Sequence, residues 1–151
     1  MIRPGRPLPA GEFPGADGGS VSLSDFRQRR GLVLLLLRSG GEEEAALVEE
    51  ASRRRDEFSS HGAALFGILP RRPDRGVPPF PSPVPVLFDE PGLFLRREGG
   101  RDPAETGTSR IAVADRYGQV YVVIPSPPGA ERAAVSEALE WVGYLDRQCP
   151  E

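Results

Sequence analysis

The sequence predicts an α/β domain with a central mixed sheet flanked by helices, and three observations carry that expectation. Two short continuous apolar runs, Leu32 to Leu37 and Ala63 to Leu69, stand on either side of a helical stretch. Apolar runs bounded by turn residues read as strands buried on both faces, and a strand–helix–strand order implies parallel pairing. Two further β-rich runs, Ile111 to Asp115 and Gln119 to Ile124, are joined by the tight turn Arg116-Tyr117-Gly118, which predicts an antiparallel hairpin. An amphipathic segment closes the chain: Val135, Ala138, Leu139, Val142 and Leu145 repeat at the spacing of one helix face.

Taken in order, residues 1–20 are rich in Gly and Pro and read as an irregular arm, with Phe13 as an anchor on the core. Asp17-Gly18-Gly19 is a turn signal before the alternating Val21-Ser22-Leu23, which suggests a small hairpin. Ser24-Asp25 resembles a cap for a brief helical turn through Arg27. After the strand Leu32 to Leu37, Ser39 at a cap position and the acids Glu42, Glu43 and Glu44 mark a helix start, where free amide groups favour negative charge. This helix is expected to run to about Ser60 with Leu47, Val48, Ala51 and Phe58 inward. Glu49/Arg53 and Glu50/Arg54 are its i,i+4 pairs. Arg53-Arg54-Arg55 reads as a solvated face, and His61-Gly62 as the helix end.

Residues 70–85 hold seven prolines, a density no helix or central strand survives, so they form a long loop. Val84 to Phe88 is a short strand leaving it, Asp89 opens one helical turn through Leu95, and Glu98 to Ser109 is loop. Pro125 to Gly129 breaks the chain before the last helix, Ala130 to Arg147. A parallel βαβ half followed by a ββα half is the arrangement of the thioredoxin fold.

Composition narrows the function. The chain has 151 residues, a net charge of -3, one Cys and one His, and all 19 basic residues are Arg. This length suits a single domain. One Cys permits no internal disulfide, and one Cys with one His permits no four-ligand Cys/His zinc site, so no metal or other cofactor is expected. Slight acidity argues against nucleic acid as a partner. The longest apolar run is six residues, against about 20 for a membrane helix. The opening Met1 to Arg6 carries no apolar signal core, so the expected location is the cytoplasm.

With the elements placed, the chain resembles the redoxin family, in particular the peroxiredoxin branch of alkyl hydroperoxide reductase and thiol-specific antioxidant proteins. Asp17 to Phe26 matches that family's D-G-x-x-V-S-L-S-D-F entry, Pro85 to Glu90 its F-P-V-L-x-D segment, and Val113 to Val120 its V-x-D-R-x-G-x-V hairpin. The resemblance covers nearly the whole chain and implies antioxidant oxidoreductase activity. Its departures fall on the reactive site. The family places a peroxidatic Cys just after the first buried strand, within Pro-x-x-x-Thr/Ser-x-x-Cys. Here that junction reads Arg38-Ser39-Gly40-Gly41-Glu42-Glu43-Glu44, with neither Cys nor Pro. Peroxide chemistry needs a thiolate; a carboxylate keeps the charge but cannot form a sulfenic acid. Thr108-Ser109-Arg110 stands where the family has a cis-Pro, and Arg110 stands near its anion-stabilising Arg, one residue off in spacing.

The expectation is therefore a catalytically degenerate redoxin acting as a binding or interaction module, with a second copy or a redox protein as partner. Its degenerate active-site region is Arg38, Ser39, Gly40, Gly41, Glu42, Glu43, Glu44, Ser109 and Arg110. The alternative is a thiol-dependent antioxidant oxidoreductase using Cys149, beyond the last helix, with a partner thiol. Trp141 and Tyr144 either help the last helix pack or cover a dimer surface.

Overall fold

Strand β3 (Gly31–Leu36) is the axis of the computed structural model, which describes residues 4–8, 11–15, 18–38, 42–70, 84–89 and 108–148. Its run of leucines is buried on both faces, as its continuous apolar sequence requires. On one side β3 pairs in parallel with β4 (Ala63–Leu69), Leu34 opposite Phe66, and β4 pairs in parallel with β5 (Val86–Phe88). On the other side it pairs antiparallel with β6 (Ser109–Ala114), which pairs antiparallel with β7 (Val120–Ser126). The order is β5-β4-β3-β6-β7. This is the mixed sheet expected from a βαβ half joined to a ββα half.

Alternation along the strands sends side chains into two apolar layers. Val33, Leu35, Ile111 and Val113 face a layer formed with the helices: α1 (Glu42–Arg53), α2 (Arg55–Ser60) and α3 (Glu131–Gln148). The inward stripes are as expected, with Leu47, Val48, Ala51 and Phe58 buried from α1 and α2, and Val135, Ala138, Leu139, Val142 and Leu145 from α3. Leu32, Leu34, Leu36, Ile68 and Ala112 face the opposite layer, where Leu8, Phe13 and Leu23 cover them. Part of the N-terminal arm is regular: β1 (Glu12–Pro14) and β2 (Ser20–Ser22) form a hairpin with Phe13 opposite Val21. Phe13 is 1% exposed and is the anchor its sequence context suggested. A 3-10 helix, Leu23–Phe26, follows with Ser22, not Ser24, at its cap position.

Four local expectations are corrected. The helix expected to reach Ser60 without a break is two helices. Arg54 leaves helical geometry (φ -103°, ψ 15°), and its guanidinium donates to Ser136 Oγ of α3 at 2.7 Å. That long-range bond draws Arg54 toward α3 and out of a solvated face. The ion pairs accordingly form at i,i+3, Glu50 with Arg53 and Arg54 with Glu57. Ser109 begins β6 and is not loop, because it pairs with Ser126 across the hairpin. Pro125 lies inside β7, opposite Arg110. An edge strand tolerates proline because the missing N–H can fall on the unpaired side. β5 begins at Val86, two residues later than expected. The helical turn expected after Asp89 and most of the Pro-rich loop lie outside the described residues.

Candidate functional site

Parallel β3, β4 and β5 all end at one side of the sheet, and there the chain passes from β3 into α1. Open α/β sheets place their sites outside such carboxyl ends. Glu44, in the first turn of α1, is 2% exposed. Its carboxylate accepts the backbone N–H of Arg38, just past β3, and the hydroxyl of Ser109, the first residue of β6. One side chain thus ties the helix start to the ends of two neighbouring strands. Charge-assisted bonds of this kind are the strong ones, and the first turn of a helix favours an anion. Asp89, buried at the end of β5, places a second carboxylate at this end of the sheet. Its N–H donates to Leu69 O at 2.7 Å and prolongs the β4–β5 pairing.

The residues expected here divide. Arg38, Glu44 and Ser109 are brought together. Arg110 is not: it alternates with Ser109 and Ile111, which face the helical layer, so it projects from the opposite face of the sheet. Glu42 and Glu43 form the start of α1. Ser39, Gly40, Gly41 and Cys149 lie outside the described residues. Ser126 was not anticipated. It is buried opposite Ser109, and its Oγ has no hydrogen-bond partner among the described residues. Its only sequence signal was a polar residue at an inward position of β7, hidden by Pro125.

No thiol occurs among the described residues, since the only cysteine is Cys149. Ser109, which donates its hydroxyl to Glu44, is itself only 6% exposed. No group of three or more His, Cys, Asp or Glu gathers as metal ligands among the described residues. No helix there is long and apolar enough to cross a membrane.

No family model matches the chain, and no curated protein sequence matches it significantly. Solved structures do match. A candidate protein disulfide isomerase of Bacteroides thetaiotaomicron superposes with a TM-score of 0.74 at 18% identity, over 97% of this chain and 92% of that one. Peroxidoxin BcpB of Mycobacterium tuberculosis gives 0.75 at 18% identity over 100% of both chains. A candidate thiol:disulfide interchange protein DsbE of Chlorobium tepidum gives 0.68 at 17% identity over 94% and 99%. The sheet order, the flanking helices and these three likenesses agree: the chain has the thioredoxin-like fold of the redoxins.

Proposed function

We propose that this protein is a catalytically degenerate redoxin that works by binding, as a cytoplasmic interaction module paired with a second copy or with a redox protein. The observation that carries this reading is Glu44, a buried carboxylate held by Arg38 and Ser109 at the strand–helix junction where the resembled family keeps its thiolate. A carboxylate has no electron pair on sulfur to give to a peroxide, so the oxidation to sulfenic acid that begins thiol peroxidase turnover has no counterpart there. The negative charge of Glu44 also opposes ionisation of any thiol brought near it. The remaining thiol, Cys149, lies far along the chain, past α3.

The test is reduction of hydrogen peroxide and of a small disulfide, with a thioredoxin-type reductant, by the wild type and by Cys149→Ser. The expected result is no turnover above the protein-free rate in either. Turnover in the wild type that Cys149→Ser abolishes overturns the degenerate reading in favour of a Cys149-dependent antioxidant oxidoreductase.

A further inference from the structure

A bulge in β7 gives Tyr121 an unusual position. Ala114 stands opposite Val120 and Val113 opposite Val122, so Tyr121 is the extra residue between the two pairs. Val120 belongs to the layer covered by the N-terminal arm, and Val122 packs against the helical layer. Tyr121 and Val122 both fall on the helical side, where strict alternation along a strand allows only one of two neighbours. Re-aiming a side chain is what a bulge does.

There Tyr121 meets Trp141 and Tyr144, which stand three residues apart on one face of α3. Its ring centroid lies 5.4 Å from that of Trp141 and 6.1 Å from that of Tyr144, and the last two are 5.7 Å apart. Rings at these separations pack on one another and leave no room between them for a ligand, so the chemistry of the cluster is that of the rings. Trp141 rests on the helical core layer, while Tyr121 and Tyr144 are 42% and 37% exposed. The two phenols share a hydrogen bond. Tyr117, the third tyrosine of the chain, lies apart in the hairpin turn, its ring 5.6 Å from the Arg116 guanidinium carbon.

We propose that Tyr121 and Tyr144 are an oxidative modification site, joined as an intramolecular dityrosine by a haem peroxidase with hydrogen peroxide. Each phenol gives one electron to the peroxidase and one proton to solvent. The two phenoxyl radicals couple through a new carbon–carbon bond between ring positions ortho to oxygen, and the ring hydrogens there move to the oxygens. The chain loses two hydrogen atoms in all, and one hydrogen peroxide becomes two waters. Trp141, in contact with both rings, passes any electron vacancy it receives on to a phenol. Exposed side chains change rotamer within picoseconds to nanoseconds, so the two rings can close on each other before a second chain arrives. This goes beyond the degenerate-redoxin reading and does not depend on it, since no thiol takes part.

The test treats the full chain with a haem peroxidase and hydrogen peroxide. Dityrosine fluorescence should appear in the monomer band of a denaturing gel, with a yield per chain independent of protein concentration and a mass lower by two hydrogen atoms. Trypsin, cutting after Arg116, Arg132 and Arg147, should release residues 117–132 joined to residues 133–147. Tyr117→Phe should leave the monomer signal unchanged, and Tyr121→Phe and Tyr144→Phe should each reduce it to the peroxide-free background. The proposal is overturned by cross-links found only between chains, by monomer dityrosine that survives in Tyr144→Phe, or by oxidation that stops at Trp141 with no dityrosine formed.

Discussion

Removing the Ser109 hydroxyl is the sharpest test of how the strand–helix junction is held. In Ser109→Ala the Glu44 carboxylate keeps the Arg38 N–H and loses one donor. Hydrogen bonds to charged groups contribute about 1.5–3 kcal/mol. Because Glu44 is not left without donors, the expected loss lies near the lower end, about 1.5–2 kcal/mol. For a chain of this size 1 kcal/mol corresponds to roughly 2–4 °C, so the midpoint should fall by about 3–8 °C. Glu44→Ala should be worse, about 2–4 kcal/mol, since it strips the half-buried Arg38 N–H of its acceptor and also leaves a cavity. If the three groups act as one unit, the double variant must lose less than the two singles together, by about 1 kcal/mol or more. Urea unfolding of the four proteins, with the slope checked for constancy, gives the coupling directly. Losses that add to within about 0.5 kcal/mol would refute the picture of Glu44 as the tie between α1, β3 and β6.

Other expectations follow from single contacts. Tyr121 is held above the usual tyrosine range, first by its hydrogen bond with Tyr144, then by charge repulsion from that residue, with burial and Asp115 adding to it. A raised folded-state value means the associated stability is complete below the ordinary tyrosine range near 10 and is lost as the pH climbs through the folded-state value. Ultraviolet titration should therefore show Tyr121 ionising at lower pH in Tyr144→Phe than in the wild type; an unmoved curve counts against the contact. Phe13→Ala should cost about 3–5 kcal/mol in denaturant unfolding, because its ring is fully enclosed in the second apolar layer; a loss under about 1 kcal/mol would mean the arm is not part of the core. Gly118 sits at φ +81°, with a would-be Cβ 2.9 Å from the flexible Arg27 Nε. Gly118→Ala should then cost about 1–2 kcal/mol, chiefly from backbone strain, and thermal melts should not recover it when Arg27 is also truncated.

What could be read from the sequence was what short-range pattern encodes. The leucine run of β3 and its buried partner β4 required a central parallel pair, and the 3.6-residue spacing of α3 required one inward face. The break at Arg54 was invisible, and the partner that its guanidinium takes there is a serine 82 positions away. Pro125 looked like a stop, since nothing local says that β7 is the edge strand on which a proline is tolerated. At the site, the acids of the first helical turn were legible as a helix start. That Glu44 turns inward, onto Arg38 and Ser109, depends on where β6 begins, and loop-like composition concealed that start.

The arm bears on how the chain reaches this state. Gly5 donates to Val120 O, Val120 donates back to Arg6 O, and Leu8 donates to Gly118 O. The arm is thus stitched to a strand that follows it by more than a hundred residues. Until β7 has left the ribosome, Leu34, Leu36 and Ile68 lack their full cover, and the half-made domain presents a greasy sheet face to its surroundings. Long-range closure of this kind slows folding and prolongs the exposed interval.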